Sequence, residues 1–159
     1  GADGMHIEKY ERWFMYATAV VILGAVVGLV ISVVGHHAAL PEPAGRVQPA
    51  DIDTTAPFDQ PGYHDTGDGT GELVLVAQAW QWTPQQVTIP AGTEVTIKAV
   101  SRDVIHGIRI PETNANVMVI PGQVSEIDVN FDEAGQYTLV CHEYCGIGHQ
   151  TMFMTIDVE

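Results

Sequence analysis

The 159-residue sequence has few basic side chains, six against 20 acidic ones, and its formal net charge is -14. Lys9 and Lys98 are its only lysines. An acidic chain repels the phosphate backbone, so we expect no nucleic-acid partner. A cationic protein partner, or a very salty medium, fits this charge better.

Cysteine is equally scarce. The sequence contains only Cys141 and Cys145, separated by three residues. In an external compartment such a pair could form a disulfide, and in any compartment it could bind a metal. The number of cysteines alone does not decide between the two.

The sequence has one long apolar run, the 22 uncharged residues 13–34. At ~1.5 Å per residue such a run crosses a hydrocarbon core of ~30 Å, which predicts a transmembrane helix over residues 13–35. The alternative, a cleaved secretory signal, has an apolar region of only ~7–15 residues. Trp13, Phe14 and Tyr16 lie at the start of the run, where aromatic rings favour the membrane interface.

The charges beside this run predict its orientation. Lys9 and Arg12 precede it, whereas the next basic residue is Arg46. Because positive charge is retained inside the cell, we expect residues 1–12 to lie in the cytoplasm and the rest of the chain outside the plasma membrane. His36 and His37 follow directly, and we interpret them as polar interface residues without a metal-binding role.

Two further regions follow the predicted span. Residues 36–70 are rich in Pro, Gly, Asp and Thr and have no apolar period, which predicts a linker. Residues 71–159 contain short β-rich runs, the first of them over residues 72–82, separated by turn signals such as Pro121-Gly122, with no helical stretch. This pattern predicts an all-β sandwich or barrel.

The segment Cys141–Met152, CHEYCGIGHQTM, follows one predicted strand and precedes the last one. It places two thiols, an imidazole and a thioether within twelve residues. Such soft ligands select copper, zinc or iron-sulfur, and a methionine favours copper because zinc sites rarely use one. His106 is far away in sequence, but a β-sandwich would bring its loop beside this segment.

Each of these residues also has an ordinary structural role, as a core methionine, a loop histidine or a disulfide. Their joint spacing favours metal binding. A mononuclear blue-copper site needs only one cysteine, together with two histidines and a weak axial methionine. Two thiolates bridging two metals would leave each copper with one histidine and one weak axial ligand, so the inventory favours a dinuclear site.

CHEYCGIGHQTM resembles the motif C-x-E-x-C-G-x-x-H-x-x-M of cytochrome c oxidase subunit II, and the likeness extends over roughly residues 74–158. It implies a cupredoxin-like Greek-key domain at residues 71–159 that binds two copper ions as a CuA centre. In that centre, two cysteines bridge the coppers, two histidines and an axial methionine complete the side-chain ligands, and one backbone carbonyl is added. The implied ligands are Cys141, Cys145, His106, His149, Met152 and the carbonyl of Glu143.

The resemblance also implies a function. The CuA subunit of a membrane-bound terminal oxidase accepts electrons from cytochrome c or a small blue-copper protein. It passes them to the haems of subunit I, which also holds CuB and reduces oxygen. A single span and the residues Tyr144, Gly148 and Gln150 resemble the B class, with b- and a-type haems. In A-class relatives the carboxylate at the position of Glu143 also binds magnesium, a doubtful role here.

Trp80 and Trp82 occupy the family's aromatic stretch, in which an exposed ring accepts electrons from the donor. As alternate residues of one strand they are expected to share a face. Either ring is a candidate for accepting electrons, and a core position for both is an equal alternative.

Three rival functions remain open. One is the copper domain of a nitric oxide or nitrous oxide reductase, which uses a related motif. Another is a membrane-tethered copper-binding protein without a redox partner, for which the aromatic strand would be unneeded. The third is a disulfide-stapled sandwich that binds no copper.

Overall fold

The computed structural model describes residues 8–35 and 42–159, which fall into two compact units divided after Glu42. The first unit contains helix α1, Lys9–Gly35, whose most apolar window has a mean hydropathy of 2.7. At ~1.5 Å per residue the helix is ~40 Å long, enough to cross a membrane. It begins four residues before the predicted span. His36 and His37, and residues 1–7 of the predicted cytoplasmic segment, lie outside the described residues.

The second unit is built from ten strands. They are β1 (Gly62–Gly67), β2 (Thr70–Gln78), β3 (Gln81–Thr83), β4 (Gln86–Ile89), β5 (Thr93–Ser101), β6 (His106–Arg109), β7 (Asn116–Val119), β8 (Ser125–Phe131), β9 (Gly135–Cys141) and β10 (Phe153–Val158). Within residues 42–159 the helical segments are two short 3-10 turns, Pro49–Thr54 and His149–Thr151. The predicted all-β class is confirmed.

The strands form two five-stranded sheets. One has the order β1-β2-β5-β8, with β3 paired to β2, and the other has the order β4-β10-β9-β6-β7. The pairs β2·β5 and β4·β10 are parallel and the other strand pairs are antiparallel. The main core contains apolar side chains from both sheets, including Leu75, Ile97, Leu139 and Ile156.

Strand β2 is apolar on both faces because both faces are covered. Leu73, Leu75 and Ala77 belong to the main core, whereas Val74 and Val76 belong to a second cluster on the opposite face. A strand buried on both sides loses the alternation of polar and apolar residues. The near-continuous apolar run of β2 is therefore explained by what lies over its second face.

That covering segment lies within the predicted linker. Val47, Ile52 and Phe58 are at most 9% exposed and pack in the second cluster with the outer face of β2. Strand β1 pairs with β2 in the same sheet. The prediction of a linker is therefore wrong for residues 43–70, and the domain begins near Pro43. The three apolar side chains lack a period because they lie in irregular chain and a 3-10 turn.

The predicted run of residues 72–82 is two strands, with Ala79 and Trp80 forming the turn between β2 and β3. This turn lies at the same end of the domain as the end of β5, since Ala77 of β2 is paired with Ser101 of β5. In the other sheet, β9 ends at Cys141, which is paired with Ile108, two residues after the start of β6. The loops that carry His106 and the cysteines therefore emerge side by side.

Candidate metal centre

The ligand loop connects two hydrogen-bonded neighbours, β9 and β10. The backbone N–H of Cys141 donates to the carbonyl of Met152 at 3.0 Å, which closes the loop at its base. Near its end a single 3-10 turn, His149–Thr151, is closed by the Met152 N–H donating to the His149 carbonyl at 3.1 Å. Both ends of the loop are thus fixed by backbone bonds before any metal binds.

The two sulfur atoms lie at the centre of the cluster. Cys141 Sγ and Cys145 Sγ are 3.8 Å apart, and both cysteines are free. The S–S bond of a disulfide measures ~2.05 Å, so the structure does not contain a disulfide between Cys141 and Cys145. Cys141 Sγ lies 3.7 Å from Nδ1 of His106, and Cys145 Sγ lies 3.5 Å from Nδ1 of His149. Each sulfur therefore has its own imidazole.

Each sulfur also has one weaker donor beside it. The carbonyl oxygen of Glu143 lies 3.3 Å from Cys141 Sγ, and Met152 Sδ lies 3.7 Å from Cys145 Sγ. Met152 is 2% exposed. The fold thus brings together the five residues of the motif and the distant His106, as two thiols, two imidazoles, one thioether and one carbonyl. This donor set fits a soft metal such as copper.

Burial and neighbouring groups change the protonation of the two thiols in opposite directions. Burial alone raises the pKa of Cys141, but the neighbouring His106 ring and nearby backbone groups bring that pKa down to about 7. Burial raises the pKa of Cys145 to about 11, and the neighbouring charge of Cys141 adds to the increase. Two adjacent thiolates repel each other, so full deprotonation of the pair requires a positive charge between them.

Asp103 is a residue that the sequence interpretation missed. Its Oδ1 accepts a hydrogen bond from Nε2–H of His106 at 2.9 Å, so Nδ1 of the ring is left to face Cys141. A carboxylate on the outer nitrogen of a ligating histidine is a recurring feature of metal sites. The sequence feature that could have identified it is an acidic residue three positions before a candidate histidine ligand.

The two tryptophans occupy different environments. Trp80 is 42% exposed, its ring packs against Gly146 and Gly148, and its Nε1–H donates to the carbonyl of Cys145 at 3.1 Å. Trp82 is 1% exposed, and its ring centroid lies 6.2 Å from that of His106. The expectation that they share a face is wrong, because Trp80 lies in a turn where strand alternation does not apply.

The fold and the donor set define a cupredoxin-like domain with a soft-metal centre. Comparison with known proteins gives its family. Residues 73–159 match the family model described as cytochrome c oxidase subunit II, periplasmic domain. The chain belongs to the cytochrome c oxidase subunit II family, and as such it is a subunit of a haem-copper terminal oxidase, an oxidoreductase complex.

Individual relatives agree with this assignment. One cytochrome c oxidase subunit 2 of Thermus thermophilus is 35% identical over 96% of this chain and 94% of its own length. A second subunit 2 from the same species is 38% identical over 77% of this chain and 95% of its own.

Solved structures that are similar to the chain include the following two. One chain from a haem-copper terminal oxidase dimer matches with a TM-score of 0.63 and 33% identity, over 95% of this chain and all of that chain. The periplasmic domain of subunit II from Bradyrhizobium japonicum matches with a TM-score of 0.52 and 20% identity, over 60% of this chain and 86% of that one. The second likeness shows the fold alone.

Proposed function

We propose that the chain holds a dinuclear CuA centre, accepts electrons from an external donor and passes them to the haems of oxidase subunit I. The observation that carries the proposal is the pair of unbonded sulfurs 3.8 Å apart, each with its own imidazole nitrogen. Bound copper would supply the one-electron redox chemistry. Oxygen chemistry would take place in subunit I, with its haems and CuB, and not in this chain.

Each donor would have a distinct role. Cys141 and Cys145 would bridge the two coppers, while His106 and His149 would each complete the coordination of one of them. The carbonyl of Glu143 beside Cys141 and the Sδ of Met152 beside Cys145 would be the weak axial ligands. The carboxylate of Glu143 is not needed for this arrangement, so we assign it no role in binding magnesium.

The scaffold favours a centre whose geometry changes little between oxidation states. Cys141 is the last residue of a central strand, and Met152 is closed onto it by a backbone hydrogen bond. The rings of His106 and Trp82 are buried, and their centroids are 6.2 Å apart. Packed interiors resist displacement, so the ligands are held close to one position with or without the metal.

Electrons would be accepted at Trp80 and would leave near His149. Trp80 is the exposed aromatic ring whose indole N–H reaches the carbonyl of a bridging cysteine, at 3.1 Å. Trp82 is buried, which favours Trp80 as the accepting ring. His149 is only half-buried, and its ring lies 5.9 Å from the exposed ring of Tyr144. These two residues would face the haem-carrying subunit.

The surface around the loop is apolar, although residues 36–159 carry 17 acidic and 4 basic residues. Besides Tyr144, large exposed apolar side chains flank the ligands at Trp80, Val104, Ile105, Ile147 and Phe153. We therefore propose a donor that docks by apolar contact, either cytochrome c or a small blue-copper protein. Long-range attraction would steer a basic donor at low salt and would be screened in a salty medium.

Helix α1 would anchor the subunit in the plasma membrane lipid, with the N-terminus cytoplasmic and the copper domain outside. Its 27 residues, with a mean hydropathy of 2.7 in the most apolar window, support a membrane span. The residues around the ligands, Tyr144, Gly148 and Gln150, also support the B class with b- and a-type haems. Family membership favours the oxidase over the copper domains of nitric oxide and nitrous oxide reductases.

The test is copper reconstitution of the full chain in detergent, followed by EPR spectroscopy and a copper-to-protein ratio. We expect two coppers and a hyperfine pattern to which both nuclei contribute equally. Cys145→Ser removes one bridge and is expected to abolish that pattern. Binding of a single copper by the unaltered chain, with a localised signal, would contradict the dinuclear centre.

A matched pair of methionine variants tests the axial ligand. Met152 and Met154 are both at most 2% exposed, but only Met152 contacts a cysteine sulfur within residues 42–159. Met152→Leu is expected to shift the reduction potential and the optical spectrum. Met154→Leu makes the same change of volume in the core and should leave both unchanged.

A further inference from the structure

The carboxylate of Asp103 accepts hydrogen bonds from residues in different parts of the chain. Its side chain is 31% exposed and lies between β5 and β6. Oδ1 accepts hydrogen bonds from the backbone N–H of Val104 at 2.7 Å and from the His106 ring at 2.9 Å. Oδ2 accepts from the backbone N–H of Ala79 at 2.7 Å, across 24 residues of sequence. The two oxygens therefore serve two different parts of the site.

We propose that Asp103 is a positioning residue that holds the His106 ring and the turn bearing Trp80 in one fixed relation. It would thereby couple the electron-accepting ring to the copper ligands. This inference rests on the proposed function, since it takes His106 as a ligand and Trp80 as the accepting ring. Asp103 itself would contact neither copper nor the donor.

The His106 contact determines which ring nitrogen is available to a metal. A neutral imidazole has one donor and one acceptor nitrogen, and a carboxylate on one of them selects the tautomer. With Nε2–H directed to Asp103, the lone pair of Nδ1 points towards Cys141 Sγ, 3.7 Å away. Because His106 is fully buried, loss of the carboxylate would leave its Nε2–H unpaired in the core.

The hydrogen bond from Ala79 N–H to Asp103 fixes the turn that bears Trp80. Only Ala79 and Trp80 lie between the end of β2 at Gln78 and the start of β3 at Gln81. An anchored amide at Ala79 therefore restricts the position of Trp80. The indole is restrained from the other side by its hydrogen bond to the Cys145 carbonyl and by Gly148. Trp80 is thus held between the ligand loop and Asp103.

A simple loop-capping role does not account for these contacts. The hydrogen bonds of Asp103 with Val104 N–H and the Ser101 hydroxyl are local and would suffice to shape the loop. The bond to Ala79 reaches a different strand connection, and the bond to His106 reaches a buried ring. A residue that only shaped its own loop would need neither.

The test compares Asp103→Asn with Asp132→Asn in the full chain. An asparagine side chain has one acceptor oxygen and one amide donor, so it cannot accept from both Ala79 and His106 in the way two carboxylate oxygens do. Asp132 is exposed and follows the end of β8, where Phe131 pairs with Thr93 at the end of β5 opposite to Ser101. The control removes the same charge far from the site.

Two readouts are used. The first is the exchange rate of the Trp80 indole proton in the metal-free chain, measured by NMR and assigned with Trp80→Phe. The second, after loading with copper alone, is the reduction potential and the histidine hyperfine coupling in the EPR spectrum. Asp103→Asn is expected to increase the indole exchange rate by about tenfold, since the loss of a hydrogen bond to a charged group changes an equilibrium constant by about that factor or more. It is also expected to shift the reduction potential and the histidine hyperfine coupling. Asp132→Asn should change neither readout.

The proposal is overturned if Asp103→Asn leaves Trp80 exchange at the wild-type rate, whether or not the copper signals move. A wild-type chain that binds no copper would contradict the proposed function instead, and the indole exchange would still test the coupling. Should Asp103→Asn prevent folding, Asp103→Glu keeps the charge and displaces the carboxylate by one methylene. A smaller increase in exchange is expected from it, and a wild-type rate in the folded variant would likewise overturn the proposal.

Discussion

Replacement of Gly148 by alanine is the sharpest test of the contact between Trp80 and the ligand loop. Gly148 has φ -92° and ψ 10°, a conformation open to alanine, so backbone strain does not confuse the result. A Cβ at this position would lie 2.5–2.7 Å from three atoms of the Trp80 ring. Carbon atoms in contact are normally ~3.5–4.0 Å apart, so the ring or the loop must move by about 1 Å.

The expected cost follows from this displacement. Overpacking of this kind destabilises a protein by about 1–3 kcal/mol, and loss of the Trp80 indole hydrogen bond to Cys145 adds about 1 kcal/mol. For a domain of this size each 1 kcal/mol lowers the melting temperature by about 4 °C. The total of about 2–4 kcal/mol corresponds to a decrease of roughly 8–16 °C in melting temperature, and the indole proton should exchange faster.

Gly45→Ala is the matched control, because its Cβ would meet Val124 Cγ2 at 3.4 Å, an ordinary contact. Its melting temperature should stay within about 2 °C of wild type, as for most surface substitutions. Thermal unfolding of the full chain in detergent measures both variants. A Gly148→Ala protein with wild-type stability and a protected Trp80 indole would refute the reasoning.

Two further predictions concern stability. Phe58→Ala should cost about 3–5 kcal/mol in denaturant unfolding because Phe58 is 2% exposed, whereas Phe153→Ala, at 54% exposed, should cost less than about 1 kcal/mol. Equal costs would contradict the placement of residues 43–70 in the domain. Hydrogen bonds from Gln136 and Gln86 lower the pKa of Asp157, so its contribution to stability is present above the ordinary pKa of about 4 and is lost as pH falls through the lower folded value. Unfolding between pH 6 and pH 2 should therefore show a smaller acid-induced loss in Asp157→Asn than in wild type.

The clustering of the candidate ligands was predictable because their chemistry is rare and most of them lie close together in the sequence. Five of the six nominated residues lie in the segment from Cys141 to Met152. Two thiols, an imidazole and a thioether so close together are typical of a site that binds a soft metal. The strands were predictable because short β-rich runs alternate with turn residues. Helix α1 was predictable from its length and lack of charge.

The parts that could not be predicted depend on tertiary contacts. Val47, Ile52 and Phe58 are spaced without a period, so their burial against β2 leaves no local pattern in the sequence. The turn at Ala79 and Trp80 contains neither glycine nor proline, and for that reason the run of residues 72–82 resembled one strand. The separation of Trp80 from Trp82 follows from that turn.

The position of His106 shows why the centre depends on the sheet and not on the ligand loop alone. His106 and Cys141 are 35 residues apart, and their side chains meet because β6 pairs with β9 in a register that places Ile108 opposite Cys141. A slip of one residue would turn His106 to the outer face, where Gly107 now contacts the ring of His142. The register that buries Ile108 in the core therefore also directs the imidazole to the sulfur, so the interactions that fold the sandwich assemble the proposed copper ligands.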